Sequence, residues 1–270
     1  MTSTPGTTTA PASSATGAPA PADGLATGFL EAAMALLARV RDEEAGAITA
    51  AGGLLAETVA SGGRLFAFGA GHSSLPAQDL VYRAGGLALM NLLAGPGVVG
   101  VDVRPATLGS ALERVEGYAT AVLDSSPLRA GDALVIISLS GRNALPVEMA
   151  QAARARGVRV IGVTSVAYAE GTTARNPSGT FLKDHCDLVL DSKIAVGDAE
   201  LSVEGIGAPF APASTVVASA ILQAVMASAA GALLERGVQP PMLRSGNVDG
   251  GHAWNAEVFA TYRDRIFYQH

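Results

Sequence analysis

ALVIISLSGRNALPVEMA, residues 133–150, decides how this chain is read. Five unbroken apolar residues, Ala133 to Ile137, mark a strand expected over 133–138 and buried on both faces, as in a parallel sheet covered by helices. Two serines, a glycine, an arginine and an asparagine follow, and then the apolar spacing of a helix over 144–156. A glycine lets the backbone approach a ligand closely, and the first turn of the helix offers unpaired N–H groups. Ser138, Ser140, Arg142 and Asn143 add side-chain donors. This is the composition of an anion-holding loop at a strand end.

The same pattern occurs upstream. RLFAFGAGHSS, residues 64–74, reads as a buried strand over 64–68, a glycine-rich turn and the start of a helix predicted over 73–84. Gly71, Ser73 and Ser74 are its ligand candidates. Further apolar runs predict strands over 85–93, 158–163 and 187–191. Helical periodicity predicts helices over 25–44, 47–61, 107–124 and 255–265. A long apolar helix is expected between 210 and 234. Strands alternating with helices give a three-layer α/β/α fold, a doubly wound, five-stranded parallel sheet with extra N- and C-terminal helices. In such sheets ligands bind at the carboxyl ends of the strands, where both serine loops fall.

Composition narrows the function classes. The 270 residues carry a formal charge of −6, and no basic face suggests a nucleic-acid partner. The single cysteine, Cys186, allows no intrachain disulfide and reads as a small buried residue. The four histidines, at 72, 185, 252 and 270, have no metal-ligand spacing, so neither metal nor other cofactor is expected. Residues 1–23, rich in Thr, Ala, Pro and Ser, lack the pattern of a secretory signal and read as a disordered tail. Residues 24–270 are expected to form one domain. The uncharged stretch from Phe210 to Leu234 is long enough to span a bilayer. Its alanines, serines and Gln223 suit a core or subunit-interface helix better, so a cytoplasmic protein without membrane contact is expected. The first loop is not a dinucleotide fingerprint, because Ser74 stands where G-x-G-x-x-G needs its third glycine, and no G-K-[ST] phosphate loop occurs.

The two loops, G-x-G-x-S and S-x-S-G, together resemble the phosphosugar-binding SIS (sugar isomerase) domain family. YRAGG (82–86), LERVEG (112–117), VGDAELSVEG (196–205), PASTV (212–216) and SGNVDGGHAWN (245–255) resemble its stand-alone bacterial members. The resemblance implies a flavodoxin-like strand order, a sugar phosphate held on the serine loops and a homo-oligomer, at least a dimer. RVEGYA (114–119) also resembles the N-acetylmuramic acid 6-phosphate etherase branch, whose base glutamate Glu116 would match. On a continuous helix Glu116 lies about 40° from Leu112 and about 20° from Leu123, at the border of the apolar stripe, while Glu113 points away. A carboxylate at that border would be partly desolvated, as a general base requires. The branch's second glutamate falls here on Arg83, a departure that leaves the proton donor open among His72, His252 and His270, with Glu204 and Asp198 as acidic alternatives. The expected reaction is removal of the C2 proton of an N-acetyl amino sugar 6-phosphate and elimination of its C3 substituent, water or a lactyl ether. Aldose–ketose isomerisation and a non-catalytic phosphosugar sensor are the competing readings.

Overall fold

A computed structural model describes residues 24–269; the expected tail and His270 lie outside them. The elements in chain order are α1 (Leu25–Glu43), α2 (Ala45–Ala60), β1 (Leu65–Gly69), α3 (Ser74–Asp79), β2 (Met90–Leu92), α4 (Ala106–Leu112), α5 (Tyr118–Asp124) and β3 (Ala133–Ile137). They continue with α6 (Ala144–Ala155), β4 (Arg159–Thr164), α7 (Val166–Gly171), β5 (Leu188–Asp191), α8 (Ser214–Glu235) and α9 (Gly251–Thr261). All five strands are parallel, in the order β2-β1-β3-β4-β5. The order reverses direction between β1 and β3, which opens a crevice at their carboxyl ends.

Strand alternation builds two cores. Leu65 and Ala67 of β1, with Ala133, Val135 and Ile137 of β3, face α2 and α8. Phe66, Phe68, Leu134 and Ile136 face α5 and α6 on the other side. The helix Ser214–Glu235 has a mean hydropathy of 1.9 and is long and apolar enough to cross a membrane by composition alone. Here it packs along α2, with Val217, Ile221, Leu222, Val225 and Leu233 buried. Its apolar surface thus closes one side of the sheet. At the opposite end of the strands, Arg64 and Asp132 form a buried ion pair, 2.8 Å between Nη2 and Oδ2.

No helix is predicted where α7 stands, α9 runs Gly251–Thr261 where a helix over 255–265 is predicted, and three elements differ further. The helix predicted over 73–84 stops at Asp79, because Tyr82 and Gly85 take positive φ and turn the chain away. Residues 85–89 pair instead with the segment near Met242: the Gly85 and Ala88 N–H groups donate to the Leu243 and Pro241 carbonyls. That leaves β2 only three residues long. The helix predicted over 107–124 is two short helices. Gly117, at φ 80°, breaks it, a backbone state that favours glycine.

Candidate functional site

Five residues of β1 end on Gly69, where the chain must turn sharply. A Cβ there would stand 2.1 Å from the Ser73 carbonyl oxygen, so only glycine permits the turn. The Gly71 N–H donates to the Val98 carbonyl. Ser74 is fully buried: its hydroxyl donates to the Gly71 carbonyl and accepts from the Gly100 N–H and the Gln78 amide. Ser74 therefore ties the loop together and does not face a ligand. Ser73 lies at the start of α3 without capping it, which leaves its hydroxyl to the cavity beside it.

The loop after β3 is fixed through its carbonyls. The Leu139 oxygen accepts from Thr164 Oγ1 and the Ser165 N–H; the Gly141 oxygen accepts from the Leu182 N–H. The Arg142 oxygen accepts from the Arg175 N–H and the Asn176 amide. Anchored in this way, Ser138 and Ser140 face a cavity of about 500 Å³ at the carboxyl ends of β1, β3, β4 and β5. Gly71, His72 and Ser73 form the facing side.

Two carboxylates line that cavity, Glu113 and Asp198, and Glu113 is the one tied to the serine loop after β3. The chain leaves α4 after Leu112 and resumes as a helix only at Tyr118, and of its two glutamates there Glu113, not Glu116, lines the cavity. The Asn143 amide donates to Glu113 Oε2 at 2.8 Å, and the Leu145 N–H donates to the Glu113 carbonyl. Glu113 Oε1 lies 3.7 Å from where a Cβ of Gly71 would be, so the carboxylate spans the gap between the two loops. Glu116 is exposed and borders a separate, shallower depression of about 290 Å³ with Glu148 and Gln151. The partial desolvation expected of it is absent.

The other predicted residues divide plainly. Gly71, His72, Ser73, Ser138, Ser140 and Asp198 line the cavity; Asn143 acts on it through Glu113. Arg83 is exposed and paired with Asp79. Arg142 is turned toward Thr173 and does not line the cavity. His252 lies exposed against Gly246, and Glu204 is exposed; neither lines the cavity. Cys186 is held in apolar surroundings that push its thiol up to about 12, so it is an unreactive packing residue. Sequence reasoning missed Glu113, Thr164, Tyr168 and Ser192. Thr164 and Ser192 follow from a simple signal, a hydroxyl residue at or just past the ends of β4 and β5. Ser192 is 2% exposed, and its hydroxyl has no hydrogen-bond partner among the described residues. An orphaned buried hydroxyl beside a cavity is a group waiting for a ligand or a water.

Residues 28–165 match the SIS domain family. The chain belongs to that family. A UPF0309 protein of Streptomyces coelicolor is 76% identical over 241 residues, covering 89% of this chain and 96% of that relative. Among solved structures, phosphoheptose isomerase GmhA from Neisseria gonorrhoeae has a TM-score of 0.50 at 18% identity, over 78% of this chain and 97% of that one. The Vibrio vulnificus NanR protein complexed with ManNAc-6P has a TM-score of 0.50 at 13% identity, over 89% of this chain and 69% of that one. These two likenesses show a shared SIS fold.

Proposed function

We propose that the cavity is the active site of a phosphosugar lyase. It would bind an N-acetyl amino sugar 6-phosphate, remove its C2 proton and eliminate its C3 substituent. The carrying observation is Glu113, an acid held by Asn143 between two serine loops at the strand ends. Ser138, Ser140 and Ser73 hold the phosphate through hydroxyl and backbone donors, which fixes the sugar so that its reacting end meets Glu113. Glu113, in place of the Glu116 expected from sequence, takes the C2 proton from the open-chain aldehyde. The electron pair moves into an enolate, with charge on the C1 oxygen. Its collapse restores the C1 carbonyl, forms a C2–C3 double bond and expels the C3 oxygen. His72, on the facing loop, gives that oxygen its proton.

The apolar wall of the cavity, with Val101, Val103 and Ala106, supports an N-acetyl substituent over a bare hydroxyl. That substituent also bears on the reaction type. A sugar with nitrogen at C2 has no C2 hydroxyl to become a ketone, so its enolate reprotonates or eliminates. Aldose–ketose isomerisation, the second reading, needs the same base and a C2 hydroxyl. The amino sugar phosphate named for NanR fits the first reading. The proposal includes a cytoplasmic homo-oligomer. Leu30 and Met34 of α1 and Leu234 of α8 are each about 60% exposed, an apolar surface suited to a second copy.

Incubation with N-acetylglucosamine 6-phosphate tests the reading. The expected result is growth of an unsaturated-carbonyl absorbance with no ketose formed. A ketose from glucose 6-phosphate or a related aldose would establish the isomerase. Binding without turnover of any phosphosugar would establish a sensor.

A further inference from the structure

The cavity holds a second carboxylate, and its position bears on which substrates can enter. Asp198 lies in the long connection between β5 and α8 and lines the cavity with Tyr168 and Ser214. Its Oδ1 accepts from the Ala213 and Ser214 N–H groups, at 3.2 and 3.0 Å, and its Oδ2 accepts from Ser214 Oγ at 2.7 Å. The first turn of α8, a helix of 22 residues, opens on this same cavity through Ser214 and Thr215. Unfilled, that helix end would be a second seat for an anion. The chain fills it with its own carboxylate. The seat is held in place from α7, where Tyr168 Oη accepts from the Gly197 N–H.

Apart from His72, the proposed acid, cations that could offset a second ligand charge lie outside the cavity lining. None of the described residues lining the cavity is Lys or Arg. Lys193, the nearest basic residue in the sequence, is bound by Glu44, Glu43 and Asp191. Burial alone would lower its proton affinity, yet these hydrogen bonds hold it above the ordinary lysine range. Glu200, two residues past Asp198, has its carboxyl pushed up by burial and then by the Asp198 charge, as expected where no cation intervenes.

We infer that Asp198 is a specificity-determining residue that restricts the site to substrates with one anionic group, the phosphate. This rests on the phosphosugar reading above and adds to it. A substrate carrying a lactyl ether at C3 brings a second carboxylate. With Ser138 and Ser140 occupied by phosphate and the proton of His72 committed to the C3 oxygen, that carboxylate meets Asp198 and Glu113 with no Lys or Arg among the described lining residues to offset it. Like charges so placed disfavour binding. Asp198 has φ of 50°, a conformation that Asn adopts readily, and an Asn side-chain oxygen can still accept from the α8 N–H groups. Asp198→Asn thus removes the charge and keeps the cap.

The experiment is calorimetric titration of wild type, Asp198→Asn and Asp198→Ser with N-acetylglucosamine 6-phosphate and with N-acetylmuramic acid 6-phosphate. Ser is a second neutral capping residue, and melting curves confirm that the variants fold. Wild type is expected to prefer the first sugar by about tenfold or more, and both neutral variants to narrow that ratio by about tenfold. An unchanged ratio in both folded variants, with N-acetylglucosamine 6-phosphate bound normally, overturns the role of Asp198 and leaves the phosphosugar reading standing. Failure of wild type to bind either sugar overturns the reading itself.

Discussion

Replacing Glu113 with Gln is the substitution that separates the two glutamates of the LERVEG segment. The Gln carbonyl oxygen can still accept from the Asn143 amide, which now donates to Glu113 Oε2 at 2.8 Å. Shape and loop geometry are retained, and only the proton acceptor is lost. Loss of a positioned general base lowers turnover by about 10²–10⁴-fold, or about 3–5 kcal/mol in barrier height. Phosphosugar affinity is expected to change by less than about threefold, because the phosphate contacts lie on the serine loops and not on residue 113. The assay is loss of the substrate C2 proton signal in deuterium oxide, followed by NMR, beside product absorbance. Glu116→Gln is the control: Glu116 is exposed and outside the cavity, so its variant should exchange within about twofold of wild type. Wild-type exchange in Glu113→Gln, or its loss in Glu116→Gln, would refute the assignment.

Asn143→Ala removes a hydrogen bond to a charged group and frees the Glu113 side chain; turnover is expected to fall about 10–100-fold at nearly constant phosphosugar affinity, read as kcat against KM. Ser138→Ala and Ser140→Ala should each weaken phosphosugar binding by about 1–3 kcal/mol in calorimetry, and unchanged affinity in both would move the phosphate elsewhere. Asp132→Ala strips Arg64, which is 6% exposed, of its carboxylate partner. It should cost about 3–5 kcal/mol in urea denaturation, and a loss below about 1 kcal/mol would contradict the buried pair.

Much of this architecture is legible in the sequence because parallel strands covered on both faces are written as unbroken apolar runs. The runs at 133–137, 158–163 and 187–191 became β3, β4 and β5 within a residue or two. The two loops are legible for a related reason: glycine and serine at the end of a buried strand have no packing role there. Gly71, Ser73, Ser138 and Ser140 accordingly reach the cavity. Ser74 shows where composition fails, since a hydroxyl in the right loop can point back into the protein and serve the loop itself.

The exchange of Glu116 for Glu113 has a more specific cause. The helical wheel assumed that 107–124 is one helix, yet Gly117 takes a left-handed conformation and its N–H donates to Glu148 Oε2. Angular relations across such a break carry no meaning. The capture of Glu113 by Asn143 comes from a contact between residues 30 apart in sequence, which no local pattern records. Asp198 is similar. In the sequence it is one of several loop carboxylates, and only the approach of the α8 N-terminus makes it a cap beside the cavity. The seat of Ser192, by contrast, could have been found by extending the strand-end rule from β1 and β3 to β5.

If one cavity grips a sugar phosphate on the serine loops and presents its C2 to Glu113, a crystal structure of the Glu113→Gln variant soaked with N-acetylglucosamine 6-phosphate will show both contacts at once. Phosphate oxygens are expected within hydrogen-bond distance of Ser138 and Ser140, with C2 adjacent to the side chain at position 113. A phosphate seated at the α8 N-terminus, or a sugar bound outside the cavity with C2 remote from residue 113, would contradict this assignment.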